Sequence, residues 1–204
     1  MTSLVHPREA LFEGEKPFPA LSACEHYAGS EERIAKALEL QAKLGPVFDV
    51  SCDCEDGARH GAEREHALMV ARALRSPANR FRRVGARVHD PEHPAFHDDV
   101  TILAPASPAF IVIPKVISAR QAAAAIDVVR GACDQPIPIH LLVETHGALR
   151  EADALAALPG VETLDFGLMD FVSAHHGAIP ESALRSPGQF EHPLVARAKL
   201  EIAA

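Results

Sequence analysis

No stretch of this sequence approaches the roughly 20 consecutive apolar residues that a bilayer span requires, so no membrane-crossing helix is expected. The opening residues, MTSLVHPREALFEGEKPF, carry acids early and contain no apolar h-region, which argues against a secretory leader. Cysteine is sparse: Cys24, Cys52, Cys54 and Cys133 do not form the spaced framework of a disulfide-stapled domain. Reduced thiols and a cytoplasmic location are the expectation. Positive charge is also in deficit, with 20 Lys and Arg against 28 Asp and Glu, a formal net charge of −8. Nucleic acid and anionic membranes reward clustered positive charge, so neither is expected as a partner. A small anionic ligand stays compatible, because it needs only a few local donors or a metal ion. No low-complexity tract or linker divides the chain, so residues 1–204 are expected to form one domain.

What is present is ordinary for a globular protein: 48% hydrophobic and 24% charged residues. Short apolar runs alternate with helix-like stretches. The expected strands are FPALSAC (18–24), VFDVSCD (47–53), RRVGARV (82–88), FIVIPKV (110–116), IPIHLLVE (137–144) and VETLDFGL (161–168). Several are almost continuously apolar, as parallel strands covered on both faces should be. Between them, 30–44 opens on Ser30 followed by Glu31 and Glu32, a cap with acids in the first turn. Helices are further expected over 62–76, over 118–132 between Ser118 and Gly131, over 146–158 ahead of Pro159 and Gly160, and over 192–204. Pro180, Pro187 and Pro193 mark a loop or lid before the last of these. Strands spaced about 25–30 residues apart, each pair joined by a helix, make a parallel βα repeat. Six units are visible. The fold class expected is α/β, a (β/α)₈ TIM barrel lacking its last two strands, since complete barrels usually need about 250 residues. An open doubly wound sheet of six strands is the alternative.

In parallel βα folds the ligand site lies at the carboxyl ends of the strands. Those ends are uniformly ionisable here. Glu55 and Asp56 follow strand two, Arg87 strand three, Lys115 closes strand four, Glu144 closes strand five, and Asp170 follows strand six. Glu144 and Asp170 end apolar runs, LLVE and DFGLMD, where an unpaired charge is costly. Two carboxylates of that kind suit Mg²⁺. A plain ion pair of Glu144 with Lys115 or Arg87 at the barrel mouth is the structural alternative.

In their order, these motifs resemble the HpcH/HpaI aldolase and citrate lyase β-subunit family, over about residues 27–200. The matching segments are DCEDGA (53–58), RVH at Arg87, IPKV at Lys115, ETHGAL from Glu144, and GLMDFVSAHHG ending at Gly177. The resemblance implies a single phosphoenolpyruvate/pyruvate-type barrel domain and a carbon–carbon lyase that works through an enolate. It implies Mg²⁺, or Mn²⁺ in its place, held by Glu144 and Asp170. Arg87 would grip a carboxylate or oxyanion, with Lys115 as a second substrate-binding group. Glu55 and Asp56 would lie near the metal waters as acid–base groups, with His89 and a metal-bound water as further proton carriers. The implied substrates are acyl-CoA or acyl-carrier thioesters such as citryl, malyl or citramalyl, or free 2-keto acids such as pyruvate and its aldol adducts. A homo-oligomer is implied as well. The family's segment after strand one often carries basic residues, whereas EHYAGSEER (25–33) is acid-rich.

Competing assignments follow from the same residues. Lys115 as a Schiff-base nucleophile would make a metal-free aldolase. Cys52, Cys54 and His60 invite a zinc assignment, but CxC with one His lacks the paired spacing of structural zinc sites. Strand alternation instead makes both cysteines packing residues on one face. His175 and His176 are neighbours that point apart on a helical turn, so they are expected to cap that turn or line the rim. His60, His66, His93 and His97 are expected to be solvated. A six-unit barrel with open edges is otherwise an inactive fragment or one completed by a partner.

Overall fold

The computed structural model describes residues 21–22 and 24–204. Within them one sheet contains β1 (Glu25–Ala28), β2 (Asp49–Asp53), β3 (Val84–Arg87), β4 (Ile111–Ile113), β5 (Ile139–Val143) and β6 (Val161–Phe166). The strands stand in chain order, each parallel to the next. That order decides between the two architectures, because a doubly wound sheet reverses direction at a switch point and this one never does. Right-handed crossovers repeated in one direction keep the helices on one face, and the sheet curls away from them. The curl brings Glu25 on β1 into hydrogen-bond contact with His140 on β5, four strands away. The described residues thus form a six-stranded, curled half-barrel.

The helices are α1 (Glu31–Leu44), α2 (Glu63–Leu74), α3 (Phe96–Leu103), α4 (Ala119–Gly131), α5 (His146–Arg150), α6 (Ala152–Ala156), α7 (Leu168–Ser173), α8 (Gly188–Glu191) and α9 (Pro193–Ala203). Ser30 and Ser118 cap α1 and α4 as expected, accepting the amides of Arg33 and Gln121. Three expectations change. The first strand is not 18–24 but EHYA at 25–28. Leu21, Ser22 and Cys24 are not in a strand, and residues 18–20 and 23 lie outside the described residues. This polar segment is a strand by parallel pairing with β2, and its inward Glu25 meets a polar partner across the curl. The helix expected over 146–158 breaks into α5 and α6 at Glu151, whose φ of −112° and ψ of 19° leave the helical region. Helix α3, not singled out in sequence, supplies the crossover between β3 and β4.

The two faces of the sheet differ. Outward residues such as Val50, Cys52, Val84, Ile111, Ile139 and Leu141 are buried against the helices. Each contributes roughly 1.5–3 kcal/mol when a Val- or Leu-sized side chain is fully buried. Inward residues are largely polar: Glu25 and Tyr27, Ser51 and Asp53, Arg87, His140, Thr163 and Asp165 share registers on that face. A small apolar layer of Phe110, Val112 and Leu142 interrupts them. Phe110 fits only because Gly85 lies beneath it, where a Cβ would stand 2.4 Å from the ring.

Candidate active site at the strand ends

The rim is organised around Asp53, the last residue of β2, which is in register with Arg87 on β3. Its carboxylate receives Arg87 Nε at 2.8 Å and Nη2 at 2.6 Å, and the amides of Glu55 and Gly57 at 3.0 and 2.8 Å. Burial by itself would raise this carboxyl. The two-pronged Arg87 and the two amides outweigh it and hold Asp53 below the usual carboxylate range. Arg87 also lies 5.2 Å from the Tyr27 ring centroid, a cation–π contact. Its remaining Nη1 edge faces Glu55 at 3.1 Å and Asp56 at 3.8 Å. Asp53 had no assigned role in the sequence; the signal was its place one strand over from Arg87.

Lys115 extends the network. Its ammonium is 2.6 Å from Glu55, 3.1 Å from Asp56 and 3.8 Å from Asp170. Burial would lower its pKa, but Glu55 and Asp56 together raise it above the ordinary lysine value. A Schiff-base nucleophile needs the opposite shift. The backbone of Lys115 is left-handed, φ 53°, which turns its amide toward Glu144 Oε1 at 2.7 Å.

Glu144 is 3% exposed. Burial pushes its carboxyl up to about 8, with the negative charges of Asp170 and Glu55 adding to the effect. Its second oxygen faces Gly167, where a Cβ would come within 2.2 Å. Next to it, Thr145 caps α5 through Ala148 N–H at 3.0 Å and donates to the Val116 carbonyl at 2.8 Å, fixing the strand-five turn. Asp170 sits in the first turn of α7, partly exposed. Burial likewise raises Glu55, against the pull of Lys115 and Arg87.

The structure therefore brings Glu55, Asp56, Arg87, Lys115, Glu144 and Asp170 onto one rim, as expected. With Asp53, five carboxyls meet two cations there. That excess of negative charge and hard oxygen donors suits a divalent cation such as Mg²⁺. His89 stands apart: it is buried, held by Asp99 through both its amide and Nδ1, and stacked on His93 at 4.2 Å.

The remaining histidine and cysteine expectations divide. Cys52 and Cys54 are buried on the helix-facing side, and burial with the Asp53 charge pushes the Cys52 thiol up to about 12. His60 is exposed. His175 caps its turn through the Phe171 carbonyl at 2.6 Å. His66 and His93 are not simply solvated, since His66 bonds the Asp53 carbonyl and His93 accepts the Ala95 amide.

A sequence profile of the HpcH/HpaI aldolase/citrate lyase family matches residues 48–182, more than half of the chain and all six rim residues. The chain belongs to this family. A citrate lyase from Burkholderia xenovorans LB400 is 55% identical, with a TM-score of 0.87 over 89% of this chain and 59% of that one. This chain thus spans less than two thirds of that relative's length. The citrate lyase β subunit of Mycobacterium tuberculosis, solved with oxaloacetate and magnesium, is 20% identical with a TM-score of 0.66, over 90% of this chain and 73% of that one. An HpcH/HpaI aldolase from Desulfitobacterium hafniense is 20% identical with a TM-score of 0.57, over 89% and 72%. These two share the fold. No match is found among curated proteins.

Proposed function

We propose that this member of the HpcH/HpaI aldolase/citrate lyase family uses the rim to bind Mg²⁺ and a small carboxylate-bearing substrate. The reaction would cleave or form a 3-hydroxy acyl-thioester or a 2-keto acid aldol adduct. The observation that carries this is the buried Glu144 carboxyl, packed against Gly167 and close enough to Asp170 and Glu55 to feel their charge. Glu144 and Asp170 would hold the ion, with Mn²⁺ as a substitute. When bound, Mg²⁺ supplies Lewis acidity and orients the carboxylate and adjacent oxygen of the substrate.

The chain's own residues account for the other requirements. Asp53 occupies Nε and Nη2 of Arg87 and so aims the Nη1 edge at the site, where it can meet a substrate carboxylate or developing oxyanion. Lys115, kept protonated by Glu55 and Asp56, offers a second positive contact. In the cleavage direction the substrate hydroxyl loses its proton, the C–C bond breaks and its electron pair remains as an enolate, which is then protonated. Glu55, raised by burial and adjacent to both cations, is the favoured proton carrier, and exposed Asp56 is at the entrance. Keto acids and CoA thioesters are the substrate classes favoured by the family. Magnesium, acetoacetate and coenzyme A are bound together in one Mycobacterium tuberculosis CitE structure.

Calorimetric titration of Mg²⁺, with and without oxaloacetate or pyruvate, tests this on the protein and on Asp170→Ala. Binding that strengthens with the keto acid and disappears in the variant is expected. If neither protein binds Mg²⁺, the rim is not a metal site in this chain. A second reading would then take its place, in which another segment or subunit completes the barrel. It is favoured by the two sheet edges, β1 and β6, among the described residues.

A further inference from the structure

Below the rim, the inward face carries a second set of ligand-type groups. His140 on β5, Glu25 on β1 and Asp165 on β6 each present one ligand atom, all within 4.8 Å of one another. Strands β5 and β6 are paired neighbours, and the curl of the sheet brings β1 to them. His140 is almost fully buried and stacks on Phe110 at 4.2 Å with the rings nearly parallel, so its orientation is fixed. Its Nδ1 faces Glu25, while Nε2 lies 3.1 Å from the Glu162 carboxylate. A carboxylate behind the far nitrogen is the arrangement that orients a metal-binding imidazole.

Other polar atoms around this set are poorly satisfied. Glu25 Oε2 and Asp165 Oδ2 are buried; the Tyr27 hydroxyl interacts with Glu25 and the Thr163 hydroxyl with Asp165, both in geometry short of a full hydrogen bond. Ser51, completely buried on the same inward face beside Tyr27, has an unpartnered Oγ as well. Buried polar groups are nearly always satisfied by protein, water or an ion. Three carboxylates around one imidazole leave a negative excess even when the ring is protonated. One divalent ion would answer both the charge and the empty lone pairs.

We propose that Glu25, His140 and Asp165 form a second metal site, distinct from the rim, that takes one borderline divalent cation of the Zn²⁺ type. One imidazole with two carboxylates suits such an ion better than Mg²⁺, which favours oxygen alone. Bonds of about 2.0–2.2 Å place the ligand atoms of one Zn²⁺ about 3–3.5 Å apart, so small side-chain rotations close the set. Glu162 is the residue behind the ligand. On β5 the site lies roughly 13 Å along the strand from Glu144, four residues at about 3.3 Å each. Leu142 stands between the two on the same face.

The test is Zn²⁺ titration of the metal-stripped protein against a chromophoric chelator, with millimolar Mg²⁺ present to keep Zn²⁺ from the rim. One Zn²⁺ per chain is expected in the natural protein and in Asp170→Ala. In Glu25→Gln/Asp165→Asn, which conserves shape, affinity should fall at least hundredfold. Glu162→Gln should lose about tenfold, the lower end of the 10–100-fold typical for a group behind a ligand. Co²⁺ in place of Zn²⁺ should give a visible absorption band that His140→Ala abolishes, with circular dichroism confirming that each variant is folded. Equal Zn²⁺ binding in the natural protein and the double variant overturns the proposal, as does no stoichiometric site at all. Loss of the site in Asp170→Ala alone also overturns it, since the ion would then belong to the rim. None of these outcomes depends on lyase activity.

Discussion

At the scale of single residues, Asp53 and Arg87 are the joint on which the rim depends. Arg87→Met leaves the almost buried Asp53 without its counter-charge, and breaking a buried pair from one side costs about 3–5 kcal/mol. Urea denaturation should show that loss, and Arg87→Lys, which keeps the charge but not the fork, should lose less. The pH dependence follows from the depressed Asp53 carboxyl. Its contribution to stability is fully present above the ordinary carboxylate value of 3.8 and is lost as pH falls through its lower folded value. Asp53→Asn should therefore lower stability at neutral pH and flatten the acid limb of a stability–pH curve; an unchanged acid limb would count against the pairing. Gly167→Ala sets a methyl group against Glu144 Oε2. It should weaken Mg²⁺ binding at least tenfold in calorimetry, provided Glu144 holds the ion, while the far-ultraviolet circular dichroism stays unchanged.

At the scale of elements, the caps and outward strand faces were legible in the sequence because they obey local rules. Ser30 and Ser118 cap where an N-terminal serine before a helical pattern should. Strand alternation placed Cys52 and Cys54 on one face as packing residues, and both are buried. What failed was β1, because apolar content was the guide and EHYA has little. It is a strand by pairing with β2, and its inward Glu25 meets His140, 115 residues away in sequence, a partner that no local window contains. The break at Glu151 was hidden for a similar reason: ALREADALAAL has good helix formers throughout, but the Glu151 side chain is drawn to the Ala119 amide at the start of α4. Thr145 is the element-level test. Thr145→Val removes both its cap on α5 and its bond to Val116, and should cost about 1–2 kcal/mol by thermal denaturation.

For the molecule as a whole, the six rim residues could be picked from sequence because strand ends are where a βα repeat places its chemistry. The inner cluster could not, since Glu25, His140 and Asp165 fall in no motif and Glu25 reaches the other two only through curvature. The sheet's edge strands β1 and β6 have one neighbour each among the described residues, and such edges invite pairing. Light scattering on a sizing column is expected to give a mass above the 21.9 kDa of one chain; a clean monomer would speak against association through those edges. Finally, the layer of Phe110, Val112 and Leu142 stands between His140 and Glu144 on the inside of the curl, while Tyr27 and Arg87 keep the face polar along β1 to β3. Charged groups on the two sides of that layer are kept from direct contact there. Their fields still cross it: unit charges roughly 13 Å apart interact by about 1 kcal/mol at an effective dielectric constant near 20. The two polar floors are therefore connected electrically, and a cation bound at one would change how readily the other takes a second.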